Sequence, residues 1–145
     1  MPEERDSKFE PDLIGFLCNW CTATAADLAG TMRMQYPANI KPIRVMCSGT
    51  VDPVYVLRAY LAGADGVIIG GCKPGECHYI SGNYKARRRM HILKTILGTL
   101  GLDEDRVWVK WISAAEGKKF AEVMTDFTEE IRKKGPNPVK GEVSL

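Results

Sequence analysis

The sequence predicts a single small, doubly wound α/β domain in which about four parallel strands alternate with four helices. Short apolar runs of strand length alternate with segments that carry the 3.6-residue apolar period of helices, and this alternation repeats four times in 145 residues. Strands joined by helical crossovers form a mainly parallel sheet with helices on both faces. Any ligand site is expected beyond the carboxyl ends of the strands.

The first strand is predicted over the apolar run from Leu13 to Leu17, which ends at Cys18. The next segment has helical spacing, with Thr24 and Asp27 resembling a capping pair and Pro37 closing the helix. The residues expected on one face of this helix are Leu28, Met32 and the pair Gln35-Tyr36.

The second strand is predicted from Ile43 to Met46, ending at Cys47. Asp52 and Pro53 have the residue types of an N-cap and a first helical position, and Gly63 stands where a C-terminal glycine ends a helix. The residues expected to line one face of that helix are Val54, Leu57 and Leu61.

The third strand, Gly66 to Gly70, leads into Cys72, and a loop rich in Gly and Pro follows it. A long helix is predicted from about Asn83 to Leu100, with Gly101 as its terminator. Its expected buried stripe is Ala86, Met90, Leu93, Leu97 and Leu100.

The fourth strand is predicted from Arg106 to Ile112, and Ser113 with Glu116 forms the pattern of a capping box that opens the last helix. The apolar residues at helical spacing are Phe120, Val123, Met124, Phe127 and Ile131. We expect a flexible N-terminus over residues 1–8, one domain over 9–135 and a C-terminal tail over 136–145.

Charge and hydropathy exclude several classes of function. The 20 Lys and Arg against 18 Asp and Glu leave a net charge of +2, which argues against a nucleic-acid partner. No stretch approaches the 18 or so apolar residues of a membrane helix, and the polar N-terminus does not resemble a secretory signal. We therefore expect a cytoplasmic protein without a membrane partner, in a compartment where cysteines bind metal or do redox chemistry.

The five cysteines are the unusual feature, and their odd number excludes a fully paired disulfide framework. Cys18, Cys47 and Cys72 each follow a different predicted strand, while Cys21 and Cys77 lie in the adjoining loops. Because parallel strands end at one edge of a sheet, all five thiols should be near neighbours. The alternative is that they are core cysteines, and Cys47 is the best candidate for an inert one.

Four kinds of chemistry fit parts of this pattern. Cys18-Asn-Trp-Cys21 has the C-x2-C spacing of a thioredoxin-like redox site, and two short-spaced pairs could supply a four-cysteine zinc scaffold. A flavodoxin-like flavin carrier fits the fold class. A 2Fe-2S cluster explains more of the cysteines, since each short-spaced pair can take one iron.

Four motifs in one order resemble the delta subunit of methyl-viologen-reducing hydrogenase, from about Phe9 to Gly135. They are Cys18–Cys21 with Ala26–Gly30, Arg44–Gly49 with Val51–Pro53, Gly70–Lys85, and Trp111–Gly117 with Lys119–Glu122. The resemblance implies a 2Fe-2S electron-transfer subunit with no independent active site. It would relay electrons from a hydrogenase small subunit, or a formate dehydrogenase subunit, to the flavin-containing subunit of heterodisulfide reductase in methanogenesis.

The resemblance draws the cluster ligands from the five cysteines, and we expect Cys18, Cys21, Cys72 and Cys77 as the ligands with Cys47 beside them. His78 is interpreted as exposed or hydrogen-bonding rather than as a ligand. A run of basic residues opens the third helix, and it is interpreted as a solvated face or as a docking patch for an acidic partner. That run is Lys85, Arg87, Arg88 and Arg89.

Overall fold

The computed structural model describes residues 9–140 and contains one sheet of four parallel strands in the order β2-β1-β3-β4. The strands are β1 (Leu13–Cys18), β2 (Ile40–Val45), β3 (Gly66–Gly71) and β4 (Val107–Trp111). The helices are α1 (Thr22–Thr31), α2 (Pro53–Leu61), α3 (Gly82–Thr99) and α4 (Gly117–Lys134). The predicted doubly wound α/β arrangement is confirmed. No helix within residues 9–140 has the length and apolar content to cross a membrane.

Two hydrophobic cores lie on opposite faces of the sheet, one under α1 and α4 and the other under α2 and α3. The largest side chains of the first core are Leu13, Leu17, Ile68, Ile112, Phe120, Met124, Phe127 and Ile131. The second core contains Phe16, Val51, Val56, Val67, Ile69, Met90, Leu93, Leu97 and Val107. Burial of apolar side chains on both faces explains why β3 is apolar throughout, as is usual for a central parallel strand.

The strand register makes all four strands end at one level. Cys18 at the end of β1 is paired with Val45 of β2, and Leu17 is paired with Gly70 of β3. Gly71 at the end of β3 is paired with Trp111 of β4. The residues that follow the strands therefore start from a common edge of the sheet.

The second strand begins at Ile40, earlier than the apolar run from Ile43 had indicated. It includes Lys41 and Pro42, whose side chains are exposed. β2 is an edge strand, and a proline is tolerated there because an edge strand has backbone positions without a ladder partner. The prediction began too late because it relied on apolar residues, and the first half of β2 includes the polar Lys41 and the exposed Pro42.

The predicted start and end of α1 are wrong. Thr24 donates a hydrogen bond to the carbonyl of Asn19, and Asp27 forms an ion pair with Arg44, so these two residues do not cap the helix. The helix ends at Thr31, not at Pro37, in a tight C-terminal turn whose left-handed residue is Arg33, with φ +55°. Its buried residues are Thr22, Ala23, Ala25 and Ala29 rather than Leu28 and Met32.

The N-cap predicted for α2 and the glycines predicted to end α2 and α3 are confirmed. Asp52 caps α2 through a hydrogen bond from the Val54 amide, and Gly63 and Gly101 adopt positive φ after α2 and α3. Three expectations about buried faces and caps are wrong. Val56 and Tyr60 are the buried residues of α2, Leu100 is 65% exposed, and Glu116 accepts a hydrogen bond from the Ser113 amide in a turn that precedes α4. Apolar residues lie on more than one side of these helices, so the apolar pattern alone did not identify the side that packs on the sheet.

The amino ends of the strands are tied to the C-terminal segment by Asp65, which is fully buried. Its carboxylate accepts hydrogen bonds from the backbone amides of Asp12 and Asn137, each at 2.8 Å. The side chain of Asn137, itself buried, donates to the carbonyls of Tyr60 and Ala64. The domain division at residue 135 stays a prediction. The predicted flexible N-terminus, residues 1–8, and the last five residues of the predicted tail, 141–145, lie outside the described part of the chain.

Candidate metal centre

Three of the five cysteines stand at the carboxyl edge of the sheet, as the sequence predicted. Cys18 is the last residue of β1, Cys72 directly follows β3, and Cys47 lies two residues after β2. After β1 the chain forms β2 next to it on one edge, and after β2 it crosses to the opposite edge of β1 to form β3 and then β4. β1 and β3 therefore flank the point where the direction of winding reverses. Ligand sites of open parallel sheets lie at this point.

The thiols that contact one another belong to different loops. The Sγ atoms of Cys18 and Cys72 are 3.6 Å apart, and those of Cys47 and Cys77 are 3.8 Å apart. Cys21 is a further hydrogen-bonding neighbour of the Cys72 thiol. These contacts join thiols of different loops rather than the short-spaced pairs that the sequence suggested, and Cys47 is not isolated from the others.

These separations have the size expected for two sulfurs on one metal ion. A tetrahedral metal with sulfur ligands at about 2.3 Å holds any two of them about 3.8 Å apart. Within residues 9–140, no group of three or more His, Cys, Asp or Glu side chains could hold a single metal ion. The donor set thus consists of sulfur atoms arranged as pairs rather than around one point.

Two glycines at the end of β3 allow the neighbouring loops to reach the thiols. A Cβ on Gly70 would overlap the Thr22 side chain, which belongs to the first turn of α1. A Cβ on Gly71 would lie 2.7 Å from the Ser48 hydroxyl, in the turn that follows Cys47. The absence of both side chains lets the loops after β1 and β2 close over the end of β3.

The start of α3 surrounds the second thiol pair. A Cβ on Gly82 would lie far inside van der Waals contact with the Cys47 Sγ and 3.2 Å from the Cys77 Sγ. Burial of Cys77 by itself raises its pKa, but hydrogen bonds from the backbone N–H groups of Asn83 and Tyr79, from the Cys47 thiol and from the Gly82 N–H oppose this, and the net pKa lies below the usual value. Hydrogen-bond donors at this helix terminus therefore stabilise a thiolate.

Cys72 and Cys47 lie in surroundings that disfavour the deprotonated, charged form of the thiol. Burial, followed by the neighbouring thiols of Cys21 and Cys18, raises the pKa of Cys72 well above its usual value. Burial also raises the pKa of Cys47, against the effect of a hydrogen bond from the Gly49 amide to its sulfur at 3.4 Å. A bound cation would offset both effects, because it favours the deprotonated thiol.

Two side chains hold the loop between Cys72 and Cys77 in place. The amide of Asn83, which is buried, donates to the carbonyls of Cys72 and Lys73 at 3.0 and 2.8 Å. The Lys73 ammonium lies 2.7 Å from the Glu116 carboxylate, and this ion pair, with the Ser113 amide, lowers the pKa of Glu116 to about 2. Sequence reasoning took Asn83 only as the start of a helix and missed its role.

An aromatic pair covers the outer side of the cysteine loops. The Trp20 ring stacks on the His78 ring with centroids 3.8 Å apart, and its Nε1 donates to the Tyr79 hydroxyl at 3.3 Å. This stack joins the loop after β1 to the loop after β3. Ile80, next in the chain, is 85% exposed and has a φ of +71°, which is unfavourable for a β-branched residue.

A cavity of about 340 Å³ opens beside Cys47. It is lined by Met46, Cys47, Gly49, Thr50, Tyr79, Ser81, Gly82 and Lys85. The cavity reaches Cys47, one thiol of the second pair, and Lys85 brings a positive charge to its lining. A group that enters this cavity therefore comes near the Cys47 thiol.

Comparison with known proteins adds independent information about this chain. Residues 13–135 match the family model described as methyl-viologen-reducing hydrogenase, delta subunit. The chain is 52% identical over 132 residues to the vhc iron-sulfur subunit of F420-non-reducing hydrogenase from Methanococcus voltae, covering 91% of this chain and 92% of the relative. It is 53% identical over 129 residues to the iron-sulfur subunit of F420-non-reducing hydrogenase from Archaeoglobus profundus, covering 89% and 94%.

A second kind of relative contains a similar segment inside a longer chain. The chain is 49% identical over 126 residues to a ferredoxin:CoB-CoM heterodisulfide reductase subunit of Methanosarcina mazei. The match covers 87% of this chain but 16% of that relative. A domain like this one thus occurs as part of a larger polypeptide as well as alone.

Proposed function

This chain belongs to the methyl-viologen-reducing hydrogenase delta subunit family, and from that premise we propose that it is a 2Fe-2S electron-transfer subunit of a hydrogenase and heterodisulfide reductase system. The observation that carries the proposal is the pair of close thiol contacts, Cys18 with Cys72 and Cys47 with Cys77. Two pairs of sulfur donors suit two irons better than one zinc, which needs its four ligands around a single point.

Cys18, Cys72 and Cys77 are common to the two ligand sets that spacing and contacts support, and the sets differ in the fourth ligand. Spacing along the chain favours Cys18, Cys21, Cys72 and Cys77. The contact between the Cys47 and Cys77 sulfurs, at 3.8 Å, supports Cys47 as the partner of Cys77 on one iron. We propose Cys18, Cys72, Cys47 and Cys77 as the ligands, with Cys21 beside Cys72.

The cluster, when bound, supplies reversible storage of one electron. The residues of this chain prepare its surroundings. Backbone N–H groups at the start of α3 and at Gly49 donate toward the sulfurs of Cys77 and Cys47, and such donors stabilise the added negative charge of a reduced cluster. The stacked rings of Trp20 and His78 hold together the two loops that carry Cys21 and Cys77.

The names of the relatives support partners from a hydrogenase and heterodisulfide reductase system. Two relatives are hydrogenase iron-sulfur subunits, and a third is a heterodisulfide reductase chain that includes a segment like this one. We propose that this protein takes electrons from a hydrogenase small subunit, or from a formate dehydrogenase subunit. It passes them to the flavin-containing subunit of heterodisulfide reductase, which is the acceptor subunit of the system. We also propose that it works in the cytoplasm.

The test is the spectroscopy of the full chain purified without oxygen. We expect about two irons and two acid-labile sulfides per chain, and a rhombic electron paramagnetic resonance signal that appears on reduction with dithionite. A colourless protein that contains zinc and gives no such signal would contradict the proposal and support a zinc scaffold. Release of a fluorescent flavin on denaturation, without iron, would support a flavodoxin-like carrier instead.

Substitution of Gly82 tests whether the second thiol pair holds iron. In the Gly82→Ala variant the added methyl group overlaps the Cys47 sulfur, so we expect the iron content to fall to less than about half of the wild-type value. The matched control is Gly98→Ala in the same helix, where the new methyl group meets the end of the flexible Glu104 side chain. Equal iron content in the two variants, both folded by circular dichroism, would argue against Cys47 as a ligand.

A further inference from the structure

Helix α3 differs from the other long surface helix, α4, in its charges. α3 carries five Lys and Arg residues, one His and no acidic residue over 18 residues. α4, of the same length, carries five Lys and Arg together with four Asp and Glu. α4 therefore has the mixed charges of an ordinary solvated face, whereas α3 has one sign only.

The basic side chains of α3 are unpaired within the described part of the chain. No carboxylate of residues 9–140 forms an ion pair with Lys85, Arg87, Arg88 or Lys94. Arg89 donates to the carbonyl of Gly49, so it is used within the domain to hold the turn after Cys47. The others also run against the helix dipole, since most lie near the amino end of α3. Such a concentration of unpaired positive charge favours an acidic partner.

An apolar ridge runs along the exposed side of the same helix. Tyr84, Ile92, Ile96 and Leu100 are 42%, 58%, 49% and 65% exposed. They belong, with Arg88, to one row at four-residue spacing. Because such a row drifts around the helix, Arg88, Ile92 and Ile96 share one side, and Tyr84 and Leu100 extend the row at its two ends. Three large aliphatic side chains exposed at this spacing indicate a surface that another molecule covers.

The ridge starts beside the candidate metal centre. Tyr84 and Lys85 lie in the first turn of α3, and Gly82 at its start contacts both thiols of the second pair. Lys85 also lines the cavity beside Cys47. A partner that lies along α3 is therefore brought to the same edge of the sheet as the sulfur atoms.

We propose that the exposed face of α3 is the docking surface for an acidic, centrally apolar surface on the acceptor subunit. The proposal rests on the proposed function, and it adds the face of the domain and the chemistry of the contact. Positive charges at Arg87 and Arg88 steer and orient the acidic partner, while Ile92 and Ile96 supply the desolvated centre. Arg89 holds the Cys47 turn in place, so docking and the metal centre share one structural element.

A protein partner fits these observations better than an anionic lipid surface does. The basic residues concentrate at the end of α3 next to the thiols, where charge can align an electron partner. Binding to a lipid surface does not require the positive charges to lie next to the thiols. In one relative, a domain like this one is part of the heterodisulfide reductase chain itself, which keeps the two permanently together.

The test measures binding of the full, cluster-containing chain to the purified acceptor subunit in low and moderate salt. We expect Arg87→Glu/Arg88→Glu to weaken binding at least about tenfold and to remove most of its salt dependence. Ile92→Ser/Ile96→Ser should weaken binding about tenfold at every salt concentration. The matched controls, Lys133→Glu on α4 and Met32→Ser after α1, should bind like the wild type, and electron paramagnetic resonance should show an unchanged cluster in all variants.

The outcomes separate the docking proposal from the proposed function. Binding by the wild type with no loss in either α3 variant would overturn the docking surface and leave the electron-transfer function intact. A wild-type chain that keeps its cluster but does not bind the acceptor subunit would contradict both the partner and the surface. Loss of binding to phosphatidylglycerol vesicles in the α3 variants, with binding to the acceptor subunit unchanged, would overturn the proposal in favour of a lipid surface.

Discussion

Replacement of Cys47 by serine is expected to reduce the iron and acid-labile sulfide content to less than about a tenth of the wild-type value, whereas Cys21→Ser keeps most of it. The Cys47 sulfur lies 3.8 Å from that of Cys77, a separation that suits two ligands of one metal ion. A serine hydroxyl is a poor substitute, because it is a harder donor and does not ionise readily at neutral pH. Iron analysis and the integrated paramagnetic signal after dithionite reduction measure the effect.

Cys18→Ser and Cys72→Ser serve as positive controls, since both residues belong to either ligand set. Circular dichroism of each variant separates loss of the cluster from loss of the fold. If Cys21→Ser loses the cluster and Cys47→Ser retains it, the ligand set suggested by spacing is the correct one. Equal losses in all four variants would mean that the cluster needs both Cys21 and Cys47, and would contradict the proposed ligand set.

Replacement of Asp65 by alanine is expected to lower the free energy of unfolding by about 3 to 5 kcal/mol. The carboxylate is fully buried and accepts hydrogen bonds from the amides of Asp12 and Asn137, which the variant leaves without their partner. It also lies 3.4 Å from the Lys140 ammonium. A loss of this size corresponds to a decrease of roughly 10 °C in melting temperature for a domain of this length.

Asp126→Ala is the matched control, because this aspartate is exposed on α4 and should change stability by less than about 0.5 kcal/mol. Asn137→Ala removes the other side of the same network and should cost about 1 to 3 kcal/mol. The site of the thiols is at the opposite end of the strands, so the iron content of the folded Asp65→Ala protein should equal that of the wild type. A change in unfolding free energy no larger than that of Asp126→Ala would refute the importance of this network.

The C-terminal ends of the helices were predicted correctly only where a glycine marks them. α2 and α3 end at Gly63 and Gly101, which adopt the positive φ that glycine favours, and the sequence indicated both. α1 ends in the same kind of turn, but the left-handed residue is Arg33. An arginine gives no local sign of that conformation, and the apolar pattern continued past it. The surrounding fold imposes the turn, so the sequence led to an end several residues too late.

The sequence by itself determined the fold class, the family and the convergence of the cysteines on one edge of the sheet. These follow from the alternation of apolar periods and from three cysteines that follow three strands, because parallel strands share one carboxyl edge. Only the tertiary structure decided which thiols meet. Spacing along the chain pairs Cys18 with Cys21, but the loops after β1, β2 and β3 fold over one another, so the sulfurs in contact belong to different loops. Contacts between segments far apart in sequence depend on the packing of Gly70, Gly71 and Gly82, which no local pattern encodes.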